Sequence, residues 1–563
     1  MTVLNTLVAV IPMLGILIFV HELGHFLAAK ACGVRVLKFS LGFGPPIGFG
    51  RFQLRWLRSG TEYVVAWFPL GGFVKMLGEQ IPGQGLEEPE VIDARPDEYL
   101  NSKRTWQKLL ITFAGPAMNL LLPVVAFAAV LWVGIPRATS VVGLVEPESP
   151  AAIAGLRPGD RLVSVDGETL AWWRDVEQEI RATSQGALHF GVEREGEIIE
   201  LVVPVIARSG IDDFGGVAKI GWIGVGHRRL SALLGVPTAA SPAAMAGLRS
   251  GDRVVRLADQ PVEDWEQLRD LYAAAGSAQV EVEVARGEAA GAEPEYEQLS
   301  VPALGDLEAL GVVSAAVLVG VVSPGMPAER VGLATGDLIL AVDGRPVGSF
   351  GTFAETVRAS QGRALRITYA RDGAVASVSV NPELKTVAGP LEIEGMDEDV
   401  YMIGISHTLS TLPGAERLDQ VRNPLVLVPR AVEMTVDMTT GFLRGLAKLL
   451  TGEVGVDKLA GPIGIAEIAR RSLDLGWQVY LTTMILISIN LGILNLLPIP
   501  ILDGGQALIY AVEGIKRSPI SLDNRARVQQ IGLTMLVLLM GLAFWNDLSR
   551  HWSRFIEWLS TAL

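Results

Sequence analysis

The amino-acid sequence predicts a polytopic α-helical membrane protein with four transmembrane helices, a membrane-associated β-hairpin and α+β modules inserted between the second and third helices. The first observation is composition, since 50% of the 563 residues are hydrophobic and yet 19% are charged. A chain of this kind, with a mean hydropathy of +0.37, must concentrate its apolar residues in segments. The other two observations are four long apolar runs and a sequence that occurs three times between residues 137 and 387.

The overall charge argues against one class of function. The formal net charge is −14 and the isoelectric point is near 5.1, whereas nucleic-acid binding needs a basic surface. Cys32 is the single cysteine of the chain, which excludes an intrachain disulfide. Any domain outside the cytoplasm must therefore fold without one.

The first apolar run, residues 3–29, contains the sequence His21-Glu22-Leu23-Gly24-His25. It lacks a basic leading region and a small-residue cleavage site, so we expect a retained transmembrane helix and not a signal peptide. Residues four apart share a helix face, so His21 and His25 can bind one metal ion with Glu22 beside its water. Left unpaired in lipid, these side chains would be costly, which favours a metal site over a chance match.

Residues 30–108 are polar and basic, and the positive-inside rule places them in the cytoplasm, with the N-terminus on the opposite side. Within this loop, residues 51–56 and 61–68 flank a turn and predict a β-hairpin. Two interpretations remain open. The hairpin is either an ordinary surface hairpin or a strand edge that a substrate joins, with Tyr63 and Val65 as contacts.

The second apolar run, residues 109–132, is interrupted by Gly115-Pro116 and carries Asn119. Glycine and proline are tolerated in membrane helices where neighbours satisfy the backbone, so a packing role for this pair is expected. The role of Asn119 stays open between a helix–helix hydrogen bond and a site residue.

A repeated sequence follows residue 137, with copies at residues 149–167, 241–255 and 326–344. Each copy resembles the core of a PDZ domain, with a short helix, a Gly-Asp turn and a strand. The sequence therefore predicts three PDZ-like modules. Their expected bounds are residues 137–210, 215–305 and 310–387.

PDZ-like modules bind extended peptides or chain termini by adding a strand to a sheet edge. The glycine-containing segments at residues 221–225 and 402–405 are candidate loops for a terminal carboxylate. The alternative is that the modules are spacers that act only as a size filter. Both interpretations remain open.

After a linker and an amphipathic helix expected on the membrane surface, within residues 388–475, the third apolar run breaks at Pro498-Ile499-Pro500. Asp503 follows, and a carboxylate beside a broken helix in lipid calls for a cation. We therefore expect Asp503 to complete a His-His-Asp site for one zinc ion with an open position for water. Glu22 would act as general base, and Asn495 would contact the substrate backbone or the oxyanion.

The last apolar run, residues 531–544, predicts the fourth span. The loop before it carries four basic residues and is placed in the cytoplasm: Lys516, Arg517, Arg525 and Arg527. The modules and both termini then lie on the opposite side of the membrane from these loops. The two membrane halves are residues 1–136 and 476–563.

Five sequence motifs together resemble the site-2 protease family of intramembrane zinc metalloproteases, in particular its bacterial branch. They are His21-Glu22-Leu23-Gly24-His25, Phe113-Ala114-Gly115-Pro116-Ala117-Met118-Asn119, Gly461-Pro462-Ile463-Gly464-Ile465, the run from Asn490 through Asn495, Pro498 and Pro500 to Gly505, and Trp545-Asn546-Asp547-Leu548-Ser549-Arg550. The resemblance covers both membrane halves and the inserted modules.

This resemblance implies an inner-membrane endopeptidase that cuts single-span anti-sigma factors already trimmed by another protease, with signal-peptide remnants as further substrates. It implies that His21, His25 and Asp503 hold the zinc and that Glu22 is the base. It also implies substrate contacts at Asn495, Pro498 and Pro500, and it likens the hairpin to the family's membrane-associated β-loop.

The sequence departs from the usual bacterial pattern at two points. It has a third PDZ-like copy where two are expected, and Gln506 where a histidine often follows the Asp-Gly-Gly sequence. A rival hypothesis is a membrane-anchored PDZ scaffold or chaperone with a vestigial metal site. A transporter is a weaker alternative, because no inverted repeat is evident.

Overall fold

The computed structural model describes residues 2–49, 52–79, 94–211, 217–276, 278–287, 293–387, 398–407, 411–452, 461–518 and 520–562. These residues form two compact units. One contains the chain up to Ile135 and from Gln420 onward, and the other contains Pro136–Val387 and Glu398–Asp419. Residues 388–397, at the start of the expected linker, lie outside the described residues.

Four helices of the described chain are long and apolar enough to cross a membrane, which agrees with the four spans expected. Their spans are Asn5–Ala31, Thr105–Val133, Trp477–Leu496 and Asp523–Ser549. At 1.5 Å per residue, each reaches about 30 Å or more, the thickness of the hydrocarbon core.

The N-terminal membrane half contains two long helices with a sheet between them. Its elements are α1 (Thr2–Ala31), β1 (Val36–Pro46), β2 (Arg55–Arg58), β3 (Thr61–Met76), two short 3-10 turns (Pro96–Glu98 and Leu100–Ser102) and α2 (Thr105–Val133). The expected hairpin is present as β2 and the first part of β3. Strand β1, which pairs with both halves of β3, was not expected from the sequence.

The long strand β3 pairs with β1 twice. Tyr63 is opposite Phe39 of β1 and also opposite Trp56 of β2, so the first half of β3 is an interior strand. Further on, Val74 pairs with Phe39 from the other side, and Met76 pairs with Val36. The spatial order is therefore β2, the first half of β3, β1 and the second half of β3. The second half of β3 is an edge of this sheet.

The soluble unit contains three modules with the same sheet. The first has β4 (Ile135–Ala138), β5 (Leu144–Val145), α3 (Pro150–Ile153), β6 (Arg161–Val165), β7 (Glu168–Thr169), α4 (Trp173–Ala182), β8 (Ala187–Arg194), β9 (Glu197–Pro204), β10 (Ile206–Ile211), β11 (Val217–Trp222) and β12 (Val225–Gly226). The second has β13 (Arg229–Leu230), β14 (Leu234–Gly235), α5 (Pro242–Met245), β15 (Arg253–Leu257), β16 (Gln260–Pro261), α6 (Trp265–Ala274), β17 (Gln279–Arg286), β18 (Glu295–Pro302), α7 (Leu307–Leu310) and β19 (Val313–Ser314). The third has β20 (Val319–Val322), α8 (Pro327–Arg330), β21 (Leu338–Val342), β22 (Arg345–Pro346), α9 (Phe350–Ala359), β23 (Leu365–Arg371), β24 (Ala374–Val380), β25 (Glu383–Val387), β26 (Glu398–Met402) and β27 (Ile405–His407).

Each module has a four-stranded antiparallel sheet, ordered β7-β6-β8-β9, β16-β15-β17-β18 and β22-β21-β23-β24. The aspartate of each Gly-Asp turn is buried and is held by both arms of an arginine guanidinium from the sheet. The pairs are Asp160 with Arg194, Asp252 with Arg286 and Asp337 with Arg371, at 2.6–2.8 Å. Bidentate pairs of this kind are strong and geometrically specific. They explain why the Gly-Asp turn recurs in every copy.

The hydrophobic cores show that each module extends past the end expected from the sequence. Ile223 belongs to the first core and Val312 to the second, while Ile403 closes the third. The strand that completes each module is therefore contributed by its last residues. The expected module ends were too early because the last short strand of each module pairs with a strand near its beginning, which the repeated sequence does not reveal.

The chain then returns through β28 (Thr411–Leu412) and β29 (Glu416–Asp419) to the C-terminal membrane half. Its helices are α10 (Pro424–Thr451), α11 (Pro462–Asp474), α12 (Trp477–Leu496), α13 (Asp503–Lys516) and α14 (Leu522–Ala562). Helix α2 is central, because α1, α10, α12 and α13 all pack against it. The amphipathic helix α10 packs one apolar face, including the buried Ala431, against α2 and α12.

Candidate metal centre

The sequence His21-Glu22-Leu23-Gly24-His25 lies in the second half of α1, so both imidazoles face the same side of the helix. The Nε2 atoms of His21 and His25 lie 3.3 Å apart. The carboxylate of Asp503 faces both rings, with Oδ2 3.2 Å from His21 Nε2 and Oδ1 3.6 Å from His25 Nε2. The structure thus brings together the three residues expected to bind the metal.

A tight turn between α12 and α13 places Asp503 at this point. Asp503 is the first residue of α13. A methyl group on Gly504 would lie 2.2 Å from the carbonyl oxygen of Leu496, and one on Gly505 would lie 2.2 Å from that of Ile499. Only glycine allows α13 to start so close to the end of α12, so the two glycines fix the position of the carboxylate.

The three side chains fit a zinc ion. Among the described residues, one ligand atom from each of His21, His25 and Asp503 lies within 4.8 Å of the others. Tetrahedral zinc with ligands at about 2.0–2.1 Å keeps its ligand atoms about 3.3 Å apart. The two Nε2 atoms lie 3.3 Å apart, and each has an oxygen of Asp503 at 3.2 or 3.6 Å. Three protein ligands leave the fourth position for water, the arrangement of a catalytic zinc site.

Helices α1 and α2 approach each other closely at the metal centre. A methyl group on Gly24 would lie 2.2 Å from the carbonyl oxygen of Ala114, and one on Gly115 would lie 2.2 Å from His25 Nε2. His25 Nδ1 lies 2.8 Å from the carbonyl oxygen of Ile111, which can only accept a hydrogen bond. His25 therefore donates through Nδ1, and its Nε2 lone pair is free for a metal.

Glu22 lies beside the second half of β3. A methyl group on Gly72 would come within 2.9 Å of Glu22 Cγ and of the carbonyl oxygen of Ser40. Gly72 is therefore the point at which the edge strand of the sheet reaches the His-Glu-x-x-His helix.

Comparison with known proteins supports the chemistry of this centre. The family model described as Peptidase family M50 matches residues 9–539. This chain belongs to that family. The regulator of sigma-E protease RseP of Escherichia coli (strain K12) is 32% identical over 547 residues, which cover 97% of this chain and 98% of that protein.

Two further comparisons complete the findings. A Xylella fastidiosa (strain Temecula1) protein, whose name assigns it provisionally to the zinc metalloproteases, is 29% identical over 536 residues, covering 95% of this chain and 96% of its own. A solved PDZ domain of an SdrC-like protein from Listeria monocytogenes is 19% identical and covers 15% of this chain and 86% of its own, with a TM-score of 0.12.

This M50 peptidase is a zinc-dependent metalloendopeptidase of the site-2 protease type, a membrane protein that acts in regulated intramembrane proteolysis. The rival hypothesis of a scaffold with a vestigial metal site is not supported, because the matching family is one of peptidases and the side chains of His21, His25 and Asp503 converge.

The residues expected to contact substrate lie in two places. Asn495 is half-buried on the last turn of α12, and Pro498 and Pro500 follow in the turn that leads to Asp503. Tyr63 and Val65 lie in the interior half of β3. The N–H of Val65 donates to Leu54 and its carbonyl accepts from Ile47, so this residue offers no free backbone edge.

One part of the M50 centre was not identified from the sequence. A backbone carbonyl such as that of Ile111 has no signature in the sequence, so it could not have been found. Gly115 was expected to have a packing role, and it lies against the His25 ring. Gln506, where a histidine was expected, accepts a hydrogen bond from Arg525 at 3.1 Å, so it ties α13 to α14.

The candidate carboxylate loops belong to the outer two modules. Ile223 and Ile403 accept equivalent backbone hydrogen bonds, from Ala151 and Ala328, at 2.9 and 2.8 Å. In the middle module, the helix α7 precedes the corresponding segment, whereas a β-hairpin precedes it in each of the outer modules.

Proposed function

We propose that this M50 peptidase cuts single-span membrane proteins at a zinc ion held by His21, His25 and Asp503. The observation that carries the proposal is the convergence of these side chains: the two Nε2 atoms lie 3.3 Å apart, and the two oxygens of Asp503 lie 3.2 Å from one of them and 3.6 Å from the other. Zinc bound there would supply a Lewis acid for the scissile carbonyl and would acidify a water molecule.

The side chains around the metal have separate roles in this proposal. Glu22 accepts the proton of the attacking water and passes it to the leaving amine. The amide of Asn495 holds the substrate backbone or the developing oxyanion. Pro498 and Pro500 lack an N–H and keep the turn before Asp503 out of helical conformation, so the substrate can approach it.

We propose that the substrate unwinds and pairs with the second half of β3, at residues 72–75, instead of with Tyr63 and Val65. Support comes from the pairing pattern, in which this half of β3 has a strand on one side only among the described residues. Gly72 brings that edge to Glu22. Helix-breaking residues at the cut site of a substrate should therefore raise the cleavage rate, and an unchanged rate would count against strand pairing.

We infer that the natural substrates are anti-sigma-factor-like proteins after a first cleavage, and that signal-peptide remnants are a second group. We also infer an inner-membrane location with the modules and both termini in the periplasm and the metal centre towards the cytoplasm. Support comes from the name of the Escherichia coli relative and from the basic residues in the two loops placed inside.

For the modules, we propose that the first and third bind the new C-terminus of a trimmed substrate and that the middle one is a spacer within the size filter. The feature that supports this assignment is the candidate carboxylate loop in each of these two modules, which contains Gly224 in the first and Gly404 in the third. Peptide binding that persists after both loops are disrupted, measured by fluorescence anisotropy, would overturn this assignment.

Replacing Glu22 by Gln tests the mechanism. In the full chain reconstituted with a single-span substrate, E22Q should bind zinc normally and lose about 10²–10⁴-fold in cleavage rate, the usual contribution of a general base. The matched control is E62Q, a carboxylate on β3 that lies 4.0 Å from Lys38. E62Q should keep the parent rate. Equal rates in E22Q and the parent, by mass spectrometry of the products, would reject the mechanism.

A further inference from the structure

Asn119 lies in the Gly115-Pro116 segment of α2 and has no place in the mechanism above. Its side chain is 1% exposed, and its Nδ2 atom lies 3.3 Å from His21 Nδ1. The Oδ1 atom of the same amide is buried and has no hydrogen-bond partner among the described residues. A buried amide with one unpaired end normally needs an explanation.

The position of Asn119 relative to His21 is fixed from two sides. The backbone carbonyl of Asn119 accepts a hydrogen bond of 2.7 Å from Ser488 Oγ on α12, and Ser488 is fully buried. On the other side, Gly24 lets α1 lie directly on the backbone of Ala114. The amide therefore cannot move away from the His21 ring, although it can turn about its last bond.

The hydrogen on His21 decides which end of the amide should face the ring. A neutral imidazole has one N–H and one lone pair, and the nitrogen that binds a metal must supply the lone pair. His21 Nε2 faces Asp503 and His25, so His21 Nδ1 must carry the hydrogen when the metal is bound. An amide N–H₂ facing that N–H would place two donors against each other.

We propose that Asn119 is a positioning residue for the metal ligand His21, with its amide oxygen accepting a hydrogen bond from Nδ1–H. This rests on the proposed function, because it takes His21 to be a zinc ligand. A half-turn of the amide exchanges Oδ1 and Nδ2 and puts the acceptor at the 3.3 Å position. Within the part of the chain that the structure describes, no hydrogen bond to Oδ1 opposes this turn.

The two histidines are then oriented in different ways. The backbone carbonyl of Ile111 can only accept, so His25 is always held with Nε2 ready for a metal. The Asn119 amide can donate or accept, so it stabilises either tautomer of His21. Asn119 therefore supports the metal-binding tautomer without imposing it.

The test compares zinc affinities of full-length variants in detergent by competition with a chelator. N119L removes the acceptor and should weaken zinc binding about 10–100-fold, as is usual when the partner of a metal-bound histidine is lost. N119D keeps an acceptor and should bind zinc nearly as well as the parent.

Any other result shows whether the role of Asn119 or the proposed metal site is wrong. If H21A loses zinc but N119L binds like the parent, Asn119 does not position His21 and this inference falls alone. If N119D is as weak as N119L, the loss comes from packing, which also overturns it. If H21A itself retains zinc, the proposed metal site is wrong. The absorption spectrum of the cobalt-substituted protein gives a second readout, and it should change in N119L and be restored in N119D.

Discussion

At the scale of single residues, the geometry of the metal centre depends as much on glycines as on the side chains that face the metal. In the proposed site His21, His25 and Asp503 supply the ligand atoms, and Gly24 and Gly115 allow the helices α1 and α2 to touch beside them. The His-Glu-x-x-His spacing was sufficient to predict that the two imidazoles lie side by side on one helix face. The contact with α2 was not predictable, because it joins residues more than 80 positions apart.

Replacing Gly24 by Ala should therefore damage the metal centre. The new methyl group would lie 2.2 Å from the carbonyl of Ala114, and forcing an extra carbon into a packed interior costs about 1–3 kcal/mol. We expect a lower thermal unfolding temperature in detergent and a lower zinc content. Gly15, on the same helix, has no atom within 4 Å of its added carbon. G15A should match the parent, and equal damage in both variants would show that the contact does not matter.

At the scale of elements, a buried carboxylate joins α14 to α11. Asp547 is 1% exposed and accepts hydrogen bonds from the backbone N–H groups of Gly461, Ile463 and Gly464 at 3.0, 2.9 and 3.2 Å. These are among the unpaired donors at the start of α11, where a negative charge is also favoured by the helix dipole. The two sequence motifs that contain these residues therefore form one contact.

Replacing Asp547 by Ala should release the start of α11. Buried donors left without a partner cost about 1–3 kcal/mol, so amide hydrogen exchange at Ile463 and Gly464 should accelerate. The control is D523A, which changes an exposed carboxylate at the start of α14. Exchange that stays as slow in D547A as in D523A would contradict the capping role.

The sequence predicted the elements better than their connections. Four apolar runs gave the four membrane helices, and the repeat gave the three modules. It did not show that β1 would divide β3 into an interior half and an edge half, because strand pairing depends on contacts far apart in the chain. The proposal that a substrate pairs with residues 72–75, and not with Tyr63 and Val65, depends on this division of β3. The arginine partners of Asp160, Asp252 and Asp337 could have been found, since each lies 34 residues further on.

At the scale of the whole molecule, the first and third modules contact each other directly across the insertion. Glu146, before α3, is buried and accepts hydrogen bonds from the hydroxyls of Ser349 and Thr352 at the start of α9. Burial raises the pKa of Glu146, although these hydroxyls, the Gly348 N–H and the nearby Arg208 act in the opposite direction. The carboxyl group therefore couples two modules that are far apart in sequence.

The raised pKa of Glu146 predicts a pH dependence of this contact. Folding favours the protonated form, so the stabilisation is complete below the ordinary pKa of a glutamate and is lost as pH rises through the raised pKa. E146Q cannot ionise and should flatten this part of the curve. Thermal unfolding of the soluble unit within the full chain, measured over a pH series, checks the prediction. A parent and variant with the same pH profile would refute it.

The strands that lead into and out of the inserted modules are joined to each other by hydrogen bonds. Arg137 donates to the buried Asp419 at 3.0 Å, and the N–H of Thr139 donates to Ala415. Two residues beyond the second unit, the N–H of Val421 donates to the carbonyl oxygen of Leu131 near the end of α2. A loop with joined ends can lengthen without changing what it connects, so evolution could add a module here, and protein engineers could exchange one, while the catalytic bundle keeps its geometry.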